Sequence, residues 1–339
     1  PLWYNIEVEE ERNDVRACNL SYLQTDWYID QMKRPYYNSP GLPISWEEKD
    51  YMPGKNEVVW VENRLNAPLE VKKAFQFLHS TDPRTKRDGE GYIPSDQLYV
   101  LSPDSQKINI KKARRFTRSE MMVMEMLSTN EWQRPMYFAV TIGNDYHLGL
   151  DPYLELTGLA YRITPERSAN GRPRVNTEVM YDNMLHKFKY GNMNVPGIYI
   201  DENTMRMCRT HRMMFMELAE ALYNEGKRDK CLEVLDFAEK MLPGYNIPYD
   251  YTSATMAVYY YQLGEMDKAN AIMTEVADNC AEYLAWGESL AKEQRASSQS
   301  TLQHQLAVLG YVLQNMERYQ QKELFNHYYD IYIQYAAMR

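Results

Sequence analysis

The chain lacks any uninterrupted run of the ~20 apolar residues that a membrane-crossing helix needs. It also lacks a basic start followed by an apolar stretch and a cleavage site. As it stands, the sequence reads as soluble. Cysteine is scarce: Cys18, Cys208, Cys231 and Cys280 lie far apart with no CxxC spacing, so neither a zinc site nor a redox pair is signalled. Each falls in apolar-periodic surroundings, where a free thiol acts as a small hydrophobe, so core thiols are expected rather than disulfides. The six histidines never form HExxH or join a cysteine cluster, and no metal is expected. GxSxG, GxxxxGK[ST] and GxGxxG are missing, so no catalytic residue and no cofactor is assigned. A cationic excess is missing too: of the net charge of −9, residues 201–339 hold −7, with 13 Lys+Arg against 20 Asp+Glu. Binding a phosphate backbone needs a net positive face, so nucleic acid is not an expected partner.

What is present fits a folded protein, with 44% hydrophobic and 25% charged residues and an unusual load of 29 Tyr and 21 Met. The length suggests two domains at about 150 residues each. An α/β domain is expected over 1–200, a mixed or parallel sheet with covering helices. Strands are read at Val15–Leu20, Glu57–Val61, Gln97–Leu101, Lys107–Ile110, Met136–Ile142 and Leu159–Ile163. Helices are read at Asp26–Arg34, Pro68–His79, Ser119–Asn130 and about Pro152–Thr157. Thr117 followed by Glu120 is a capping-box pattern, and the Met-rich run after it reads as core. Thr81 to Gly91, with five charged side chains from Arg84 to Glu90, reads as a mobile surface loop. The opening residues read as a helix end just before a strand, as though the chain were cut from a longer one and a partner strand preceded Pro1.

After Asp201 the β signals stop and an all-α tetratricopeptide-like domain is expected over 201–339. Phe215, Leu218, Ala219, Leu222, Gly226, Cys231, Leu235, Ala238 and Pro243 fall at the positions of one repeat. Small residues matter there because paired helices approach closely only where a bulky side chain is missing. A second copy, 38 residues on, sets Met256, Ala257, Tyr260, Gly264, Ala269 and Met273 against Leu218, Ala219, Leu222, Gly226, Cys231 and Leu235. A third, weaker copy places Leu306, Leu309, Gly310 and Leu313 on one helix and Tyr319–Tyr335 on the next. Of Tyr259, Tyr260 and Tyr261, candidates for groove or core, Tyr260 sits at a repeat position and reads as core.

Candidate ligand-binding residues are Asn144, Asp145 and Tyr146 after the strand ending at Ile142, since ligands collect at the carboxyl ends of strands in open α/β sheets. An Asn-Asp-aromatic cluster suits a hydroxyl-rich ligand, although Gly143, Asn144 and Asp145 are also turn formers. Trp27 and Asp30 are further candidates, with Asp26 and Asp30 one turn apart on a helix face. The only basic concentration, Lys107, Lys111, Lys112, Arg114, Arg115 and Arg118, is either a solvated face or a contact for anionic lipid headgroups.

Two blocks, residues 1–34 followed by Leu42-Pro43-Ile44-Ser45, and Asn130–Pro165, resemble the C-terminal soluble region of a large bacterial multi-pass membrane-protein family, long a domain of unknown function. That family is similar to GT-C-type protein O-mannosyltransferases, which carry tetratricopeptide repeats outside the bilayer. The resemblance implies a membrane portion upstream, joined through an acidic segment ahead of Pro1–Tyr4, and a periplasmic, extracytoplasmic location. It places the catalytic carboxylate in a loop absent here, so no catalytic residue carries over. The implied role is an accessory domain of a membrane glycosyltransferase, with the repeats binding a polypeptide acceptor or partner protein. The rival is glycan binding or processing through Asn144, Asp145 and Tyr146.

Overall fold

The computed structural model describes residues 2–337; Pro1, which heads the first resemblance block, and Met338 and Arg339, which end the expected repeat domain, lie outside them. About 53% of the chain is helical and 10% is strand, in small sheets followed by a helical C-terminal region. Two compact units are formed, Pro1–Glu155 with Ala160–Arg174, and Leu156–Leu159 with Val175–Arg339.

The first unit opens with α1 (Leu2–Glu7), α2 (Asp26–Lys33) and α3 (Glu48–Tyr51). Between α1 and α2 the expected strand Val15–Leu20 does not form. Side chains there take the roles that ladder partners would: Arg16 donates to Arg34 O and Gln31 O, and Asn19 Oδ1 accepts from Ser21 N and Tyr22 N to start a 3₁₀ turn. Next come β1 (Val58–Trp60), β2 (Leu69–Glu70), α4 (Val71–His79), β3 (Lys86–Arg87), β4 (Glu90–Gly91), β5 (Leu98–Leu101) and β6 (Lys107–Asn109). β2 and β5 pair in parallel across α4, while β5–β6 is an antiparallel hairpin. The stretch expected to be a mobile loop is itself a hairpin, β3–β4, whose Asp88 and Gly89 both have positive φ (51° and 84°). That is the backbone of a type I′ turn, which Asp-Gly favours.

β7 (Arg115–Thr117) pairs antiparallel with β1 and leads into α5 (Arg118–Thr129). The capping box forms as expected: Thr117 Oγ1 accepts from Glu120 N, and Glu120 reaches back to Thr117 N. Met121, Met122, Met124 and Met126 are all buried in a core shared with Leu23, Ile29, Phe75 and Phe116. After α5, β8 (Tyr137–Ala139) and β10 (Ala160–Ile163) pair antiparallel, with β9 (Leu154–Leu156) next to β10. The helix expected at Pro152–Thr157 is thus a 3₁₀ turn, Asp151–Tyr153, running into a strand. Leu154 and Leu156 are buried and Glu155 is not, the period of two that a strand imposes. The strands are mixed, with β2–β5 parallel and β1–β7, β3–β4, β5–β6 and β8–β10 antiparallel, and they form several small sheets rather than one helix-covered sheet.

The second unit contains α6 (Thr177–Asp182), α7 (Glu202–Asn224), α8 (Arg228–Met241), α9 (Tyr251–Leu263), α10 (Met266–Ser289), α11 (Lys292–Arg318) and α12 (Lys322–Ala336). Three hairpins, α7–α8, α9–α10 and α11–α12, close with the same turn. Gly226, Gly264 and Gln320 take left-handed φ of 77°, 87° and 60°, and the next amides donate back to Leu222 O, Tyr260 O and Met316 O. All the repeat-position residues read from the first two copies that lie on these helices are buried, Phe215 through Ala238 and Met256 through Met273. In the third, Leu306, Leu309 and Leu313 are buried on α11, but the partner helix begins at Lys322, since Tyr319 caps α11. All four cysteines are unpaired, with Cys208, Cys231 and Cys280 buried and Cys18 half-buried.

Candidate functional site

Asn144, Asp145 and Tyr146 are exposed on a 3₁₀ turn after β8. Two neighbours pin that turn: buried His147 faces Asp151 at 2.9 Å and stacks on Phe138, and Lys111 Nζ donates to Asp145 O at 2.7 Å. On α2, Asp30 accepts the hydroxyl of buried Tyr51, so its carboxylate is engaged within the fold. Trp27 on the same helix is 55% exposed and continues a row of rings with Tyr22 and Trp3, at centroid spacings of 5.8 and 6.1 Å. The structure groups Trp27 with other aromatics.

Of the basic run, Arg118 is buried and donates to Gln24 O and Lys55 O, Lys111 is paired with Glu120, and Lys112 with Asp96. These three cations hold the fold together rather than forming a free headgroup face.

Three surfaces stand out that sequence reasoning did not assemble. In the helical unit, the first helices of successive hairpins bring together Glu217, Glu220 and Tyr223 of α7, Tyr251 and Tyr259 of α9, and Tyr311 of α11. Tyr223 and Tyr259 lie 5.6 Å apart between centroids, and Tyr251 and Tyr311 4.9 Å. Burial, and then the neighbouring charges led by Glu220, raise the Tyr259 hydroxyl well above its ordinary pKa; burial and then Glu220 likewise raise Glu217. Tyr260 and Tyr261 are core, and half-buried Tyr259 is the one of the three that faces this surface. The signal was available, because one helix turn separates Glu217, Glu220 and Tyr223. A shallow groove of about 430 Å³ also lies along α8, beside Leu232 and Phe237.

In the first unit, a cleft of about 380 Å³ opens beside the end of α5, lined by Trp132, Gln133, Arg134 and Arg162 over an apolar floor. Its residues fall inside the Asn130–Pro165 block but span two strands, so no local spacing joins them.

These features define a class: a mixed α and β domain joined to a helical-hairpin domain, with no cluster of metal-ligating residues and no helix long and apolar enough to cross a membrane among the described residues. The chain belongs to the TMEM260-associated domain 2 family, whose sequence model matches residues 1–113 and 100–182, more than half of its length. It fits a domain of a TMEM260-like protein. No curated protein and no solved structure matches it.

Proposed function

We propose that this chain is the extracytoplasmic, non-catalytic recognition part of a membrane glycosyltransferase similar to the protein O-mannosyltransferases, and that its helical unit is a tetratricopeptide-like stack holding a polypeptide acceptor or partner protein. The observation that carries this reading is the face built from Glu217, Glu220, Tyr223, Tyr251, Tyr259 and Tyr311 on the first helices of three hairpins that share one turn. Stacked helix pairs present such first-helix faces to extended chains. Tyrosine hydroxyls and carboxylates serve a peptide's amides and basic side chains, with the rings supplying apolar area at low entropic cost.

The test is a titration with extended peptides carrying Lys or Arg. Changing Glu217→Gln together with Glu220→Gln is expected to weaken binding about 5- to 30-fold, two charge contacts at roughly 0.5–1 kcal/mol each. Deleting residues 201–339 from the full-length protein is expected to abolish or redirect glycosyl transfer. Unchanged transfer would sink the reading.

Glycan binding is a second reading, supported by the exposed Trp27–Tyr22–Trp3 row, because aromatic faces stack on sugar rings. Mannose-type glycans that bind, and lose binding on Trp27→Ala or Asp145→Ala while peptides do not bind, would favour it.

A further inference from the structure

The cleft beside α5 has three properties that belong together. The first is charge. Arg134 and Arg162 line it, and no Asp or Glu does. Arg134 donates to Pro40 O, Gly41 O and Ser39 Oγ at 3.1–3.3 Å, neutral acceptors that position the guanidinium without cancelling its charge. Its field reaches Arg16, whose pKa is lowered by burial first and by Arg134 in addition. The side chain of Arg162, exposed on β10, has no hydrogen-bond or ion-pair partner among the described residues.

The second property is backbone geometry. Glu131 and Trp132 are consecutive left-handed residues, with φ of 47° and 63°. Neither is a glycine, and such conformations persist where surrounding contacts over-determine them. Those contacts are present. Asn130 donates to Arg134 O at 2.7 Å and accepts from Arg134 N, Trp132 Nε1 donates to Leu101 O at 2.8 Å, and Lys72 holds Glu131 at 2.6 Å. Together they fix the loop that carries Gln133 and Arg134 at the rim.

The third property is the floor, where Leu127, Met136 and Ile163 are apolar. A concave, largely apolar site with a few convergent polar groups is the usual form of a small-molecule pocket. Guanidinium groups pair with planar or tetrahedral anions through two parallel donors.

We propose that this cleft binds a small organic anion, a phosphate ester or a carboxylate, whose charged head meets Arg162 and Arg134 and whose apolar body rests on Leu127, Met136 and Ile163. All the residues that line the cleft belong to the first unit. Gln133, whose side chain also has no partner among the described residues, supplies a neutral donor and acceptor at the rim.

The whole chain, labelled for NMR, is titrated with phenyl phosphate, with benzoate and with neutral benzyl alcohol. Saturable shifts of the Trp132 indole N–H are expected with at least one of the two anions and not with the alcohol. Whichever anion binds more tightly assigns the head. Arg162→Gln, on an exposed strand position, is expected to keep the melting temperature and to weaken binding at least 10-fold, with partial recovery in Arg162→Lys. Binding within twofold of the parent in Arg162→Gln, equal binding of the alcohol, or no saturable shift with either anion would each overturn the proposal.

Discussion

At the scale of single residues, the buried charges of Arg212 and Glu125 are each met by several hydrogen-bond partners. Arg212 is 1% exposed and donates to Leu242 O, Ile247 O and Pro248 O at 2.7–3.1 Å, tying down the loop between the first two helical hairpins. Glu125, buried in the first unit, accepts from Ser45 N, Ser45 Oγ and Thr129 Oγ1. At the surface, the carboxyl of Glu178 is lowered to about 2 by hydrogen bonds from Lys227 and then Lys230. A carboxylate depressed in this way contributes stability above its ordinary range and loses it as pH falls toward the depressed value. The expected outcome is an NMR titration of Glu178 with a midpoint near 2, returning to the usual carboxylate range in a Lys227→Met, Lys230→Met variant. Such partners could not be foreseen, because Glu178 and Lys227 are 49 residues apart and Arg212 lies 30 and 35 residues from Leu242 and Ile247.

At the scale of elements, what was legible was what is local. The Thr117–Glu120 box marked the start of α5 within one residue because both halves of the cap lie inside one turn. The strand expected at Val15–Leu20 failed for the opposite reason, since a strand exists only where a distant segment pairs with it, and here side chains of Arg16 and Asn19 bond locally instead. Pro152 suggested a helix start, yet the buried, half-buried, buried order of Leu154–Leu156 is strand-like. The shared hairpin turn gives a prediction at this scale. Gly264→Ala is expected to cost about 1 kcal/mol and Gln320→Gly to gain about 0.5–1 kcal/mol, because a left-handed φ is free for glycine and strained for other residues. Thermal unfolding of the two variants checks both signs.

At the scale of the whole molecule, the chain passes between its two units three times between Glu155 and Val175. The second unit draws on residues ahead of its long helices: Tyr190 stacks on Phe215 at 5.8 Å and meets Phe237 edge-on at 5.7 Å. A fragment beginning at Val175 is therefore expected to melt several degrees higher than one beginning at Asp201. Exposing an aromatic cluster of this kind costs roughly 1–3 kcal/mol. Calorimetry on the two fragments decides it, and equal melting temperatures would mean that Tyr190 adds nothing to the helical core. This dependence was hidden in the sequence because residues 183–200 carry neither a clear 3.6 nor a period-two pattern.

The unpaired cysteines have a further consequence. Burial raises the thiols of Cys18 and Cys280 to about 12 and that of Cys231 to about 11, so at neutral pH almost none of the attacking thiolate exists. Burial raises the Cys208 thiol as well, so slow thiol–disulfide exchange is the expected behaviour of the folded chain. Cys208, Cys231 and Cys280 lie buried and unpaired, which leaves half-buried Cys18 as the thiol nearest to a solution oxidant.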